Sequence, residues 1–318
     1  MNGLSKASVS MREVDETSGG QRIDNYLQKL LKGVPKSHIY RILRSGEIRV
    51  NSRRVDATYR LQPGDRIRIP PVRTAQPAVG KPPPAAFRGA VLLEDEDLLV
   101  VDKPSGVAVH GGSGISSGVI EQMRAARPGL RFLELAHRLD RDTSGILVLA
   151  KKRSALTDVH AQLREGQVRK HYLALVLGEW KEDKRGVRLP LHKYVTASGE
   201  RRVAVNEEEG VESHTMFRLE RALDGCSLLD AELKTGRTHQ IRVHLAHLGY
   251  PIAGDDKYGD FDANKALAKA GLKRMFLHAS RIEFRHPRSG ERVRLEAPLP
   301  EDLASYLASV GKPRGGRA

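Results

Sequence analysis

The sequence has a single cysteine, Cys226, in 318 residues. One thiol excludes an intramolecular disulfide and any cysteine-cluster metal site, and it fits a reducing compartment. Cys226 lies in Leu223–Leu229, where a buried structural thiol is expected rather than a nucleophile. No apolar run approaches the ~18 residues of a membrane-spanning helix. The longest, Ile146–Ala150 and Tyr172–Leu177, are strand-sized. Met1 to Gln21 is polar and lacks the apolar core of a secretory signal. These absences predict a cytoplasmic protein without membrane contact. Apolar residues at 39% and charged residues at 29% suit a globular chain, and its length predicts about two domains.

What the sequence has in excess is positive charge, +15 from 54 basic and 39 acidic side chains. Residues 1–86 hold 16 Lys or Arg against 7 Asp or Glu, and the rest hold 38 against 32. Concentrating the field in the first quarter favours a polyanionic partner, of which nucleic acid is the usual one.

Ile23, Tyr26, Leu27, Leu30 and Leu31 recur at helical spacing. Pro35 interrupts them, Ser37 can cap a second helix carrying Ile39, Ile42 and Leu43, and Gly46 ends it. Short alternating segments follow, with turns at Asn51-Ser52 and Pro63-Gly64-Asp65. Twelve basic and four acidic residues between Arg22 and Pro70 make this a compact basic module. Clustered on one small unit, Arg22, Lys36, Arg41, Arg44, Arg53 and Arg54 read as candidate phosphate contacts. Five prolines between Pro71 and Pro84 cannot build a core and read as an extended linker.

From Val91 onward strand-like runs outnumber helices and do not alternate regularly with them. Strands are expected at Leu98–Val101, Ile146–Ala150, Val168–Leu177 and Ser227–Leu233, and helices at Ser154–Arg164 and His239–His247. A hairpin is expected around Ser289-Gly290, and Glu207-Glu-Glu-Gly210 reads as a solvated hairpin tip. The expected class is α+β with a mixed, largely antiparallel sheet.

The densest polar constellation is Ala136-His-Arg-Leu-Asp140-Arg-Asp-Thr-Ser-Gly145, set just before an apolar strand. Rigid sheets present functional side chains on such loops, but a charged turn in which Asp142 bonds local amides has the same spacing. From spacing alone, both readings stand.

The segment His-Arg-Leu-Asp140-x-x-Thr-Ser-Gly resembles the signature of the RluA-type uridine-to-pseudouridine isomerases. The resemblance extends through Lys103-Pro-Ser-Gly106, Arg169-Lys-His-Tyr172, Gly236-Arg-Thr-His-Gln-Ile-Arg242-Val-His and Gly249-Tyr-Pro-Ile-Ala-Gly-Asp255, in that order, over residues 91–300. His137 at its head is similar to the large-subunit ribosomal RNA group of that family. The basic module resembles the RNA-binding S-four domain, through Arg22-Ile-Asp-Asn-Tyr-Leu, Ile42–Val50 and Pro63-Gly64-Asp65. The implied organisation is a polar arm (1–21), an S-four-type domain (22–70), a Pro-rich linker (71–86), a pseudouridine synthase domain (87–310) and a basic tail (311–318).

The resemblance implies that the chain isomerises uridines in 23S (large-subunit) ribosomal RNA. That reaction detaches the base from the anomeric carbon, turns it, and rejoins it through carbon 5. It changes no oxidation state and transfers no group to another molecule, so no cofactor is expected. A carboxylate can serve as nucleophile. Asp140 matches the family's catalytic aspartate; attack on the anomeric carbon and addition to carbon 6 of the ring both remain open. Arg242 matches the family arginine that pairs with this aspartate, expected to be buried, the alternative being a helix-surface arginine on phosphate. Tyr172 matches the tyrosine that packs on the target base and can take a sugar proton, or is an ordinary strand aromatic. Arg138 matches an arginine that fills the space left by a flipped base, or salt-bridges at the rim. Asp142 is set aside as a second carboxylate, because the family motif varies there.

His239, His244 and His247 lack a nearby cysteine or acidic partner, so no metal site is expected. The expected partner is ribosomal RNA, free or in an assembly intermediate, met by a monomer. The competing readings are a non-catalytic RNA-binding or ribosome assembly protein, and a synthase acting on another RNA such as tRNA. A glycoside hydrolase built on Asp140 and Asp142 sits badly with the +15 charge.

Overall fold

The computed structural model describes residues 8–72, 84–111 and 117–310, and the chain divides into two compact units, Met1–Pro83 and Pro84–Ala318. Most of the Pro-rich linker (73–83) and the basic tail (311–318) lie outside the described residues. No helix among the described residues is long and apolar enough to cross a membrane.

In the first unit β1 (Ser10–Glu13) precedes helices α1 (Ile23–Leu30) and α2 (Lys36–Arg44), followed by β2 (Arg49–Val50) and β3 (Arg66–Ile69). The helical stripes read from the sequence bury Ile23 and Leu27 on α1, and Ile39, Ile42 and Leu43 on α2, against Ile48, Leu61 and Ile67. Asn51 and Ser52 both take left-handed backbone, φ 49° and 66°, as a two-residue hairpin turn requires. The Pro63-Gly64-Asp65 turn is organised by Asp65. Its carboxylate accepts from the Asn51 amide, the Tyr59 hydroxyl and the Gln62 backbone N–H.

One boundary differs from the sequence reading. Residues 10–13, assigned there to a polar arm, pair with β3 in the order β1-β3-β2. Val14, directly after the strand, is 2% exposed and anchors it, while Met11, Arg12 and Glu13 stay exposed at the sheet edge.

The second unit runs β4 (Val91–Glu94), β5 (Leu98–Lys103), α3 (Val119–Ala125), β6 (Glu134–Leu135), β7 (Ser144–Ala150), α4 (Arg153–Arg164) and β8 (Arg169–Leu177). It continues through β9 (Lys184–Arg188), β10 (Leu191–Val195), β11 (Arg201–Val205), β12 (His214–Leu223), β13 (Cys226–Leu233) and α5 (Gln240–His247). Then come α6 (Phe261–Lys269), β14 (Leu277–Arg285), β15 (Arg292–Glu296) and α7 (Glu301–Val310). The main path of the ten-stranded sheet is β4-β5-β7-β14-β8-β13-β12-β9, with β15 on β14 and β6 on β7. All its pairs are antiparallel except β7 with β14. The fold is therefore α+β with a mixed, largely antiparallel sheet.

Strand β7 is buried along its whole length because both faces are covered. Leu147 and Leu149 pack with Tyr172, Leu229 and the α5 residues Ile241 and Leu245. On the other face Ile146, Val148 and Ala150 pack with Ala155 and Val159 of α4. A continuous apolar run is the expected signature of such a strand. At its start Gly145 has φ +110°, and a Cβ there would lie 2.3 Å from the Ala279 carbonyl oxygen of β14. Only glycine lets these two backbones meet, so the close approach is fixed immediately after the polar loop. Cys226 is buried, and that burial raises its thiol. Residues 207–210 form an exposed turn after β11, closed by the Gly210 N–H on the Asn206 carbonyl, and not a tip between paired strands.

Candidate active site

Asp140 sits on the loop between β6 and β7, and the loop's path is held from β5. Lys103, the last residue of β5, is fully buried and donates to three carbonyl oxygens, of Pro104, Val107 and Arg141, at 2.8, 2.8 and 2.9 Å. Those bonds take all three ammonium hydrogens. Burial pulls Lys103 down to about 7, while the charges of Asp142 and Asp140 pull the other way. Ser105 Oγ donates to the Asp142 carbonyl at 2.8 Å, and the Gly106 N–H to that of Arg141 at 2.9 Å. The Lys103–Gly106 turn thus grips the backbone directly after Asp140. On the other side of Asp140, His137 Nε2 accepts from the Val148 N–H, and burial pushes that imidazole down to about 3, which keeps it neutral.

A cleft of about 1390 Å³ opens over this loop. Arg138, Lys170, Arg201, Lys234, Arg237 and Lys257 are among the basic residues lining it, and Asp140 is the sole acidic lining residue among those described. The structure brings Asp140, Tyr172, Arg242 and Arg138 together here.

Arg242 projects from α5 with its side chain 3% exposed, and its dominant partner is not Asp140. Its Nε and one terminal nitrogen donate to the two oxygens of Asp255, each at 2.7 Å. Its other terminal nitrogen lies 3.4 Å from Oδ2 of Asp140. The expected direct contact with Asp140 is present, but it differs from the expectation in two respects. Asp140 is 28% exposed, and the planar fork of the guanidinium is filled by Asp255, leaving one N–H edge for Asp140. Burial works against the Asp255 charge, yet the Arg242 bonds and the backbone N–H groups of Lys257 and Tyr258 hold that carboxyl below its usual range. Arg242 is in turn raised, against the cost of its own burial, and stays charged.

Tyr172 lies on β8 opposite Ala231 and Ala279, 6% exposed. Burial first, and the Asp140 charge second, push its phenol above the ordinary tyrosine range, so it remains protonated. Arg138 is exposed at the cleft wall. Asp142 pairs with its neighbour Arg141 at 3.0 Å and is not among the described residues lining the cleft. His244 is fully buried, with Ser213 and Thr215 hydroxyls on its two ring nitrogens.

The six candidate phosphate contacts of the small unit differ among themselves. Arg22 is tied to Asp24 by two hydrogen bonds. Arg54 donates to the Ser45 carbonyl and lies against Gly46, and Arg41 is shared with His38 and Glu47. Lys36, Arg44 and Arg53 are exposed, with no side-chain partner among the described residues.

Comparison with known proteins identifies the family. Residues 97–247 match the family described as RNA pseudouridylate synthase, and residues 21–67 match the S4 domain. The ribosomal large subunit pseudouridine synthase C of Escherichia coli K12 is 51% identical over 314 residues, covering 96% of this chain and 98% of the relative. The chain belongs to the RNA pseudouridylate synthase family. The synthase of the same description from Pasteurella multocida is 52% identical over 308 residues, 95% of this chain and 94% of the relative. Among solved structures, human RNA pseudouridylate synthase domain containing 1 superposes with a TM-score of 0.58 at 27% identity, over 71% of this chain and 90% of that one.

Three residues that organise the candidate site are not predicted from the sequence. Asp255 closes the last quoted motif block, but its bond to Arg242 bridges a loop whose course periodicity does not reveal. Lys103 was quoted without a role, since burying a lysine is legible only once three carbonyls are seen to converge on it. Tyr258, whose ring lies 5.1 Å from the Arg242 guanidinium carbon, stands outside every quoted block.

Proposed function

We propose that this synthase isomerises specific uridines to pseudouridine in 23S (large-subunit) ribosomal RNA, with Asp140 as the nucleophile. One observation carries the chemical part: among the described lining residues a single carboxylate faces a cleft rich in basic side chains, beside a buried, permanently charged arginine. The names of its relatives, matched over nearly the whole chain, support the substrate. The reaction breaks the N1–C1′ bond of uridine, turns the base, and forms a C5–C1′ bond. The hydrogen on C5 leaves and N1 gains a proton, so the product is an isomer. In this reading an oxygen of Asp140 serves as nucleophile either at C1′ or at C6 of the ring. Arg242 stabilises the carboxylate while Asp255 holds the guanidinium in place. Tyr172 packs on the base; its raised phenol favours that role over taking a proton. Arg138 occupies the space the extruded base leaves. The test is to offer the protein 23S, 16S and transfer RNA transcripts and map the carbon-linked product. Product confined to 23S RNA supports the proposal, and product in another RNA alone refutes the substrate assignment.

The division of labour belongs to the same proposal. Residues 22–70 bind ribosomal RNA, residues 87–310 flip and convert the base, and the chain works in the cytoplasm as a monomer on free RNA or an assembly intermediate. Lys36, Arg44 and Arg53 are the small-unit cations best placed to meet phosphate, being exposed and without a side-chain partner among the described residues. Each neutralised phosphate contributes ~0.7–0.9 to the slope of log affinity against log salt. Deleting residues 1–86 is therefore expected to weaken binding to long RNA and flatten that slope, with the saturated single-turnover rate retained. An affinity series in salt, run beside single-turnover rates, checks this. A lost saturated rate with an unchanged slope would place the small unit inside the active site instead.

A further inference from the structure

Residue 239 opens α5 in the left-handed region, φ 53° and ψ 20°. Among the described residues the only other non-glycine positions with positive φ are Asn51 and Ser52, where a hairpin turn demands it. Histidine makes no side-chain cap on α5, so the helix start does not explain why it is there. Strained backbone of this kind persists where the surroundings over-determine it, commonly at functional sites.

The surroundings of His239 fix its ring. Nδ1 lies 2.7 Å from the Tyr258 hydroxyl. That hydroxyl oxygen already accepts from the backbone N–H of Val203 on β11, at 2.9 Å. Its own hydrogen is then best donated to Nδ1, which leaves the ring hydrogen on Nε2. Nε2 is the nitrogen facing Asp140, 3.9 Å from Oδ2. Tyr258 is itself placed by Asp255, which accepts its N–H at 3.0 Å, and the acid that anchors Arg242 therefore also anchors the His239 ring. Both partners of Asp140 address one oxygen, with Arg242 at 3.4 Å and His239 at 3.9 Å from Oδ2. No hydrogen bond from a described residue reaches Oδ1.

We propose that His239 is a positioning residue for Asp140: its Nε2–H, fixed by Tyr258, holds Oδ2 together with Arg242, so that Oδ1 is the oxygen presented to the nucleotide. The inference rests on Asp140 being the reacting carboxylate. At 3.9 Å the contact is longer than a hydrogen bond, and catalytic hydrogen bonds commonly tighten only when substrate is bound. Burial keeps His239 below the ordinary imidazole range, although the Asp140 charge opposes this, so the ring acts as a neutral donor.

Two variants separate positioning from folding. His239→Asn keeps a residue that tolerates left-handed backbone and caps helices well, but it is too short to reach Oδ2. Tyr258→Phe removes only the hydroxyl and leaves the ring over Arg242. The single-turnover rate is expected to fall about 10- to 100-fold in His239→Asn and by a smaller factor in Tyr258→Phe, with RNA affinity and melting temperature unchanged. Nitrogen-15 NMR of histidine-labelled protein, with the His239 signals assigned by their loss in His239→Asn, should show the Nε2–H tautomer. Tyr258→Phe should weaken that preference. A wild-type rate in His239→Asn, or an Nδ1–H tautomer in the unaltered protein, overturns the proposal. Asp140→Asn is run alongside: if it is inactive while His239→Asn is unimpaired, the positioning inference alone is wrong, and if it is fully active, the underlying assignment has failed and takes this inference with it.

Discussion

Asp255→Ala should unfold the catalytic unit at a markedly lower temperature and all but remove activity, although Asp255 itself is not proposed to touch substrate. The guanidinium of Arg242 is 3% exposed and spends two charge-assisted bonds on this carboxylate. Taking away one member of a buried ion pair leaves the other charge stranded, at a cost of about 3–5 kcal/mol. For a unit of this size that corresponds to roughly 6–20 °C in melting temperature. The same substitution frees the N–H groups of Lys257 and Tyr258, loosening the segment that aligns Arg242. Arg242→Ala should be comparably damaging, and the double variant should cost much less than the two single costs combined, because the partners act as one unit. Arg242→Lys should not rescue, since an ammonium cannot form the two-pronged contact. Thermal unfolding of the four variants, with single-turnover rates, checks this. Near-additive costs would mean that the pair is not coupled as its 2.7 Å contacts require.

How far such a site can be read in advance depends on the kind of signal each element leaves. β7 announced itself, since five consecutive apolar residues between polar loops leave little choice but a strand covered on both faces. The two small-unit helices did so through their stripes. By contrast α6 has no buried residue. It is started by the Asp260 side chain accepting from the Asp262 and Ala263 N–H groups, and without an apolar stripe periodicity passes over it. Strand β12 has an irregular burial pattern, and β10 and β11 form a separate two-stranded sheet, so alternation is weak there too. In α7, Leu303, Tyr306 and Leu307 do have helical spacing, and that signal was available but went unread. That Asp140, Tyr172, Arg242 and Arg138 line one cleft agrees with the motifs in which each stands. The identity of Arg242's main partner was not legible, because a short-range sequence pattern does not report which of two carboxylates fills a guanidinium fork.

Asp140→Asn should behave in the opposite way to Asp255→Ala, stable but inert. Its side chain is 28% exposed, and its contact with Arg242 is 3.4 Å, so replacing the carboxylate by an amide removes little from the folded state. The amide cannot act as the nucleophile, and the rate should drop at least about 1,000-fold. RNA affinity should be unchanged or slightly tighter, since a negative charge has left a basic cleft. The direct readout is tritium release from ribosomal RNA carrying uridine labelled at C5, because the C5–C1′ bond can form only if the C5 hydrogen departs. Under single-turnover conditions with protein in excess, the unaltered chain should release tritium in step with the appearance of carbon-linked product. Asp140→Asn should bind the same RNA, melt at the same temperature and release none. If that variant instead releases tritium at an appreciable fraction of the original rate, Asp140 is not the nucleophile.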